Sequence, residues 1–164
     1  MDLQLTDKVA LVTGGAAGIG AAIATGLARE GCAIAIVDIA PPAEPPAELL
    51  AFGRTVRVYP ANVREFAQAE RVVAAVLHDF GRLDVLVCNA GITDDAVTWK
   101  MSESQWDRVV AVNLKGCFNY CRAVAAVFKD QRSGRIVNIA SINGLRGKFA
   151  QANYAASKGG IIAL

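Results

Sequence analysis

Short apolar runs alternate with longer amphipathic segments along most of the chain. The runs are rich in β-branched residues and lack polar alternation, which is typical of strands buried on both faces of a parallel sheet. The predicted strands are Lys8–Thr13, Ala33–Asp38, Thr55–Tyr59, Leu83–Cys88 and Arg135–Ala140. The segments between them have the length and the periodicity of helices. This alternation predicts βαβ units with right-handed crossovers in a single α/β domain over residues 1–164.

The predicted helices are Ile19–Glu30, Arg64–Phe80, Ser102–Lys129 and a last helix from Asn153 to Leu164. In the first helix, Ala16, Ile19, Ile23 and Leu27 are expected to share the buried stripe. Four prolines between residues 39 and 48 exclude a helix there, so we expect a loop before a short helix.

Composition and charge exclude several classes of protein. Hydrophobic residues make up 54% and charged residues 20%, which excludes a disordered chain. The formal net charge of +2 gives no electrostatic footprint for nucleic acid. No uncharged apolar run reaches the roughly 18 residues of a membrane helix, and the first residues do not resemble a secretory signal. Cys32, Cys88, Cys117 and Cys121 lack CxxC spacing, so we expect reduced thiols and a cytoplasmic location.

A glycine-rich turn, Thr13–Gly20 (TGGAAGIG), separates the first strand from the first helix. Glycines permit a tight turn and let the backbone approach a pyrophosphate, while the helix N-terminus offers unpaired N–H groups. The spacing is one residue longer than the usual dinucleotide fingerprint, so an ordinary glycine-rich turn is the alternative. The strand–turn–helix context favours dinucleotide binding.

Asp38 ends the second strand, 18 positions after Gly20. An acidic residue at about this distance holds the adenosine ribose hydroxyls in dinucleotide-binding folds. Its carboxylate would repel a 2′-phosphate, and no Arg or Lys stands at Ala16, at Ala17 or just after Asp38 to neutralise one. This pattern favours NAD over NADP. The alternative is a solvent-facing aspartate at a strand end.

Tyr154 and Lys158 are four residues apart, so both face one side of the last helix. A neighbouring ammonium stabilises a phenolate, which makes the tyrosine a workable general acid or base near neutral pH. Ser141 follows the fifth strand, where parallel sheets place ligands. Asn113 interrupts the apolar pattern of the long helix. Tyr-x-x-x-Lys alone is common on solvated helix faces, so only the combination points to a catalytic site.

Together these residues resemble the short-chain dehydrogenase/reductase family. The glycine turn, Cys88–Gly91 (CNAG), Asn113, Ser141 and Tyr154–Lys158 (YAASK) stand in the family's order and at its spacings. The resemblance implies a Rossmann-like, doubly wound parallel sheet of strand order 3-2-1-4-5. It also implies an NAD(P)(H)-dependent oxidoreductase that interconverts a carbonyl and a secondary alcohol by hydride transfer.

The resemblance further assigns a role to each catalytic residue. Tyr154 exchanges a proton with the substrate oxygen, Ser141 hydrogen-bonds that oxygen, and Lys158 binds the nicotinamide ribose and assists the tyrosine. Asn113 holds a water molecule in a proton relay. Cofactor contacts are expected from Gly14, Ala17, Gly18, Ile19, Gly20, Asp38, Ile39, Asn62, Val63, Asn89, Ala90, Gly91, Tyr154 and Lys158. Asn62 stands where the family usually has Asp, and it can still accept a bond from the adenine amino group.

Neither composition nor motif indicates a metal. Cys117 and Cys121 share a helix face, but they have no neighbouring His or Asp pattern, so no zinc site is expected. His78 is interpreted as a surface or capping residue.

Within the family, three segments are most similar to 3-oxoacyl-acyl-carrier-protein reductases and acetoacetyl-CoA reductases. They are Asn89–Asp94 (NAGITD), Ser141–Gly147 (SINGLRG) and Gln151–Lys158 (QANYAASK). The similarity implies an acyl thioester substrate and a role in fatty acid biosynthesis. Lys129, Arg132 and Arg135 are similar to the basic cluster that such reductases offer to an acyl carrier protein, although a solvated helix end explains them equally well. Those reductases usually carry a basic residue in the glycine turn, which this chain lacks.

Family members are usually longer than 164 residues. The resemblance implies that a sixth strand, a seventh strand and the substrate lid are missing here. It also implies a homo-oligomer, typically a tetramer, that associates through the long helix 102–129. Three alternatives stay open: part of a longer enzyme, a short product that binds dinucleotide but turns over weakly, or a non-catalytic dinucleotide-binding or partner module.

Overall fold

The computed structural model describes residues 3–164, which form a parallel sheet with helices packed on both faces. The strands are β1 (Val9–Thr13), β2 (Ala33–Asp38), β3 (Val56–Pro60), β4 (Val85–Cys88) and β5 (Arg135–Asn138). Their order is β3-β2-β1-β4-β5, and every neighbouring pair is parallel. The predicted Rossmann-like, doubly wound sheet is confirmed. Met1 and Asp2, which the single-domain prediction includes, lie outside the described residues.

The helices are α1 (Gly18–Arg29), α2 (Ala47–Leu50), α3 (Phe66–Phe80), α4 (Glu103–Val110), α5 (Gly116–Gln131), α6 (Asn143–Arg146) and α7 (Ala152–Ala163). The predicted bounds of α1, α3, α7 and the long helix that contains α4 and α5 agree with these within two residues at each end, whereas α2 was expected without bounds and α6 was not predicted. Among residues 3–164, no helix combines the length and the apolar character needed to cross a membrane.

The predicted long helix is continuous but changes geometry in its middle. Ser102 caps its start, because its Oγ accepts from the Gln105 backbone N–H and Gln105 Oε1 accepts from the Ser102 N–H. Between α4 and α5 the segment Ala111–Lys115 forms a π-helical turn. Such turns are rare and often occur at functional sites, and this one carries Asn113.

The sheet is apolar on both faces, which explains the unbroken apolar runs in the sequence. In β1, Ala10 and Val12 belong to the core on the α1 side, whereas Leu11 belongs to the core beneath α3 and α5. The expected stripe of α1 was wrong at one position. Ile19 is 67% exposed, and the small residues Ala24 and Ala28 pack on the sheet instead, which lets α1 approach it closely.

Asp84 ties the start of β4 to the start of β1. Its nearly buried carboxylate accepts from the Val9 N–H at 2.9 Å and from Arg82 Nη2 at 2.6 Å, with Lys8 Nζ at 3.6 Å. Burial acts to raise the pKa of Asp84, but the bonds from Arg82 and Val9 and the neighbouring cations together lower it below its usual value. A lowered folded-state pKa contributes stability that is present above the unfolded pKa and is lost as the pH falls.

We therefore expect the free energy of unfolding to fall as the pH drops below about 4. Asp84→Asn should lower it by about 2 kcal/mol at pH 7 and reduce its acid dependence, because the Val9 N–H loses a charged acceptor. Urea unfolding between pH 3 and 7 measures both effects, with Glu70→Gln on the exposed face of α3 as the control. An unchanged acid dependence in Asp84→Asn would contradict the assignment.

Candidate active site

The carboxyl ends of four strands meet at one edge of the sheet. The glycine turn follows β1, Asp38 ends β2, Asn89 follows β4 and Ser141 lies beyond β5. β1 and β4 lie side by side where the strand order reverses, the place at which open α/β sheets bind ligands. A cavity of about 910 Å³ opens along this edge.

Most of the predicted site residues line that one cavity. They are Gly14, Ala17, Ile19, Asp38, Ile39, Asn62, Val63, Asn89, Ala90, Gly91, Ser141, Tyr154 and Lys158. Gly18, Gly20 and Asn113 are not part of the lining. Gly18 is exposed at the start of α1, whereas Gly20 and Asn113 are buried behind the cavity wall.

The glycine turn is closely packed, and three of its glycines, Gly14, Gly15 and Gly20, leave no room for a side chain. Gly14 has a φ of +63°, and a Cβ there would lie 2.9 Å from the Ala90 Cα. A Cβ on Gly20 would lie 2.1 Å from the Gly14 carbonyl oxygen and 2.5 Å from Asn89 Nδ2. At Gly14 the turn therefore presents bare backbone to the cavity, as pyrophosphate binding requires.

Asn89 fixes the glycine turn to the end of β4. Its Nδ2 donates to the Thr13 and Gly14 carbonyl oxygens, both at 3.1 Å. In the other direction, Thr13 Oγ1 accepts from the Asn89 N–H at 3.0 Å and from the Ala90 N–H at 3.2 Å. The two halves of the cavity are thus joined at the topological switch.

Asp38 points its carboxylate across the mouth of the glycine turn. Its Oδ2 accepts from the Ala16 N–H at 3.3 Å, and its Oδ1 accepts from the Ala40 N–H at 3.4 Å. Two backbone donors thus hold a negative charge at the cavity, next to the exposed side chain of Ile39. A carboxylate in this position can accept bonds from two vicinal hydroxyls.

A cation that the sequence reasoning missed lies beside Asn62. Asn62 Oδ1, expected to face an adenine, accepts from the Arg64 N–H at 3.1 Å and from Arg64 Nε at 3.2 Å. Arg64 lines the cavity with Asn62 and Val63. The short Asn-x-Arg spacing after β3 was the only sequence signal, since an asparagine side chain in a turn bonds the backbone two residues on.

Lys158 and Ser141 bring hydrogen-bond donors to the cavity beside Tyr154. Lys158 is 4% exposed, and its Nζ donates to the Ile139 carbonyl at 2.5 Å and lies 5.8 Å from the Tyr154 ring centroid. Burial lowers the pKa of Lys158 from its ordinary value. Ser141 Oγ accepts from the Asn143 N–H at 3.2 Å, which leaves its hydroxyl proton for another acceptor.

Asn113 acts from behind the cavity wall. It is fully buried, its Oδ1 accepts from the Ile92 N–H at 2.8 Å, and its Nδ2 donates to the Ile92 carbonyl and to Ser157 Oγ, both at 3.0 Å. Ser157 in turn donates to the Tyr154 carbonyl at 2.8 Å. The asparagine thereby links a wall residue, Ile92, to the helix that carries Tyr154. Sequence reasoning missed Ser157, because it lies within the Tyr-x-x-x-Lys spacing without contributing to it.

The basic cluster proposed for a carrier protein lies away from the cavity. Arg135 begins β5, and Lys129 and Arg132 stand just before it at the end of α5, so all three are at the opposite edge of the sheet. Arg108 lines the cavity and pairs with the Asp94 carboxylate. It was also missed, since nothing in its local sequence sets it apart from a solvated helix residue.

The cavity fits a dinucleotide. It has a glycine-rich turn at the helix N-terminus with bare backbone at Gly14, a fixed carboxylate at the end of β2, and a buried cation beside a phenol at the far end. The fold and the cavity together define a Rossmann-type α/β protein. At the carboxyl edge of its sheet, the cavity is lined by the Ser141 hydroxyl, the Tyr154 phenol and the Lys158 amine.

The family model of the short chain dehydrogenases matches residues 8–164. The chain belongs to the short-chain dehydrogenase family, and the predicted membership is confirmed.

Individual relatives agree with this assignment. The chain is 43% identical over 164 residues to a 3-oxoacyl-acyl-carrier-protein reductase of Thermotoga maritima, covering 99% of this chain and 67% of that protein. It is 40% identical over 159 residues to an acetoacetyl-CoA reductase of Allochromatium vinosum, covering 94% of this chain and 64% of that protein. The structure of NAD⁺-bound xylitol dehydrogenase superimposes with a TM-score of 0.91 at 35% sequence identity. The match covers 98% of this chain and 63% of that one. The chain thus spans about two thirds of the length of these relatives.

Proposed function

We propose that this chain carries the dinucleotide site and the catalytic residues of an NAD(H)-dependent oxidoreductase that interconverts a 3-oxoacyl thioester and its 3-hydroxy form. The observation that carries the proposal is that Ser141, Tyr154 and Lys158 line the same cavity as the glycine turn and Asp38. Relatives that act on acyl thioesters supply the substrate class.

The protein's contribution is binding and proton transfer at one oxygen atom. When bound, a nicotinamide cofactor supplies or accepts the hydride. The Tyr154 phenol gives its proton to the carbonyl oxygen during reduction and takes it back from the hydroxyl during oxidation. Ser141 donates a hydrogen bond to the same oxygen and stabilises its developing charge. Lys158, fixed by the Ile139 carbonyl, provides a positive charge beside the phenol and donors for ribose hydroxyls.

Asn113 is proposed as a positioning residue for this group. Its bonds to Ile92 and Ser157 set the position of the helix turn that carries Tyr154. A water relay from Asn113 to Lys158, which the family resemblance implies, remains a prediction.

Asp38 is proposed to select NAD over NADP. Its carboxylate accepts ribose hydroxyls and repels a 2′-phosphate. We expect Asp38→Ala to weaken NADH binding by about 10- to 100-fold, since a bond to a charged acceptor is lost. The same change should strengthen NADPH binding, because Arg64 remains as a cation of the cavity.

Fluorescence titration of both cofactors measures this ratio. Glu70→Ala, which removes an equal charge from the exposed face of α3, is the control. An unchanged NADH-to-NADPH ratio in Asp38→Ala would contradict the role of Asp38.

The substrate class is tested by following NADH oxidation with acetoacetyl-CoA, with acetoacetate as the matched ketone that lacks the thioester. Turnover confined to the thioester supports the proposal. Turnover confined to polyols in the reverse direction, assayed with xylitol and NAD⁺, would move the chain to another substrate class within the family.

Two further proposals concern partners and location. The basic cluster Lys129, Arg132 and Arg135 is exposed at the edge of the sheet opposite the cavity, which favours a solvated helix end over a docking site for an acidic carrier protein. The helix 102–129 is proposed to join copies of the chain in a homo-oligomer such as a tetramer. The cysteines are all free thiols in the described part of the chain, which supports a reducing, cytoplasmic location.

A further inference from the structure

Three thiols from two distant parts of the sequence meet behind the cavity. Cys88 is the last residue of β4, while Cys117 and Cys121 stand one turn apart on α5. Their Sγ atoms all lie within 4.8 Å of one another. Each cysteine is a free thiol, with Cys88 5% and Cys117 6% exposed. The group lies between the sheet and α5, and the partly buried Cys121 is its most accessible member.

An oxygen ligand stands next to the same thiols. Asn138, the register partner of Cys88 on β5, has its Oδ1 3.3 Å from Cys117 Sγ and 3.7 Å from Cys121 Sγ. The three sulfurs and this oxygen therefore lie close together, two of them on the sheet and two on the helix. Strand pairing holds Cys88 and Asn138 in place, and the helix holds Cys117 and Cys121.

We propose that Cys88, Cys117 and Cys121 form a binding site for a thiophilic divalent metal ion of the zinc and cadmium type, with Asn138 Oδ1 completing the ligand set. In a tetrahedral zinc–thiolate site, bonds of about 2.3 Å place the sulfurs about 3.8 Å apart. The observed spacing has to contract by about 1 Å at most, which side-chain rotation about the Cα–Cβ bonds can provide.

Charge and proton balance favour a divalent ion. Each thiol loses its proton to solvent as its Sγ–metal bond forms, so three thiolates and one divalent ion leave a net charge of −1. The Lys158 ammonium interacts electrostatically with Cys117 and offsets part of that charge. A monovalent ion would leave −2 in a largely buried place, which costs more.

The position of the site suggests what an ion would do. Cys88 directly precedes Asn89, which fixes the glycine turn, and Cys117 is the second residue of α5, just after the π-helical turn that carries Asn113. A bound ion would therefore clamp β4 to α5 directly behind both halves of the cavity. The sequence alone predicts no metal site at Cys117 and Cys121, because Cys88 joins them only through the fold.

The test titrates Cd²⁺ into the reduced, metal-free chain, following thiolate-to-metal charge-transfer absorption and counting bound metal by equilibrium dialysis. We expect one ion per chain and a rise in the midpoint of thermal unfolding. Cys121→Ser should weaken binding by at least about 10-fold, because losing an outer partner of a metal ligand already costs that much and here a ligand itself is lost. Cys32→Ser, which removes a buried thiol outside the group, should bind like the wild type.

A second readout keeps the proposal testable if a variant folds poorly. In the wild-type chain, bound Cd²⁺ should slow the alkylation of Cys121 and leave that of Cys32 unchanged, as followed by mass spectrometry. The proposal would be overturned if the wild type showed no charge-transfer absorption with Cd²⁺. It would also be overturned if Cys121→Ser and Cys32→Ser lost Cd²⁺ affinity equally. Neither readout depends on turnover, so the outcome is independent of the proposed oxidoreductase activity.

Discussion

Tyr154→Phe is expected to lower kcat for carbonyl reduction by about 10²- to 10⁴-fold, the usual contribution of a general acid or base. NADH affinity should stay close to that of the wild type, because the substitution keeps the ring beside Lys158 and removes only the hydroxyl. Steady-state turnover of acetoacetyl-CoA measures the first effect, and NADH fluorescence titration measures the second.

Tyr120→Phe is the matched control for this experiment. Tyr120 is fully buried, and its hydroxyl is the one buried side-chain polar atom of residues 3–164 without a hydrogen-bond partner. Removing that hydroxyl leaves activity unchanged and leaves stability equal or slightly higher. If Tyr154→Phe turned over as fast as Tyr120→Phe, the phenol would have no role in proton transfer. If the wild type bound NADH but turned over no carbonyl or alcohol, a dinucleotide-binding module without chemistry would be the better description.

Gly20→Ala is expected to abolish most dinucleotide binding, although Gly20 itself does not line the cavity. The new Cβ would lie 2.1 Å from the Gly14 carbonyl oxygen, so the turn itself has to move. That carbonyl also accepts from Asn89, and the displacement disturbs both strand ends. We expect NADH affinity to fall by at least about 10-fold and the free energy of unfolding to fall by about 1–3 kcal/mol, as for other overpacked sites.

The same helix offers the control. A Cβ on Gly26, in the middle of α1, meets nothing within 4 Å. Gly26→Ala should therefore raise the free energy of unfolding by about 0.5–1 kcal/mol through helix propensity and leave NADH affinity unchanged. Chemical unfolding and NADH titration of the two variants side by side measure the contrast. Equal affinities in Gly20→Ala and Gly26→Ala would show that the turn does not hold the cofactor.

Much of the fold could be predicted from the sequence, because local patterns and tertiary structure agree in most elements. Buried parallel strands have to be apolar on both faces, so β1 and β2 can be recognised from their own sequence without knowing which strands they pair with. The exceptions have local causes. Ile19 has the spacing of a core residue but lies in the first turn of α1, where the helix faces the cavity rather than the sheet. The π-helical turn at Asn113 has no sequence signature in hydrophobic periodicity.

The site was predictable where spacing alone determines proximity, as for Tyr154 and Lys158 on one helix face. Groups assembled from distant segments were not. Ser157 acts through Asn113, 44 positions earlier in the chain, so its role is not visible from its own neighbours in the sequence. Arg64 had only the short Asn-x-Arg spacing as a signal. The thiol group behind the cavity depends in the same way on strand pairing and helix packing that no local pattern reveals.

The amide of Asn89 has a consequence for the thermodynamics of ligand binding. Through it, the first crossover and the fourth strand are held as one rigid unit before any ligand arrives. Little backbone freedom remains to be lost on association, so the entropic penalty of ordering a loop is small. Affinity in such a preorganised cradle depends on how well the ligand's own shape and charges match it.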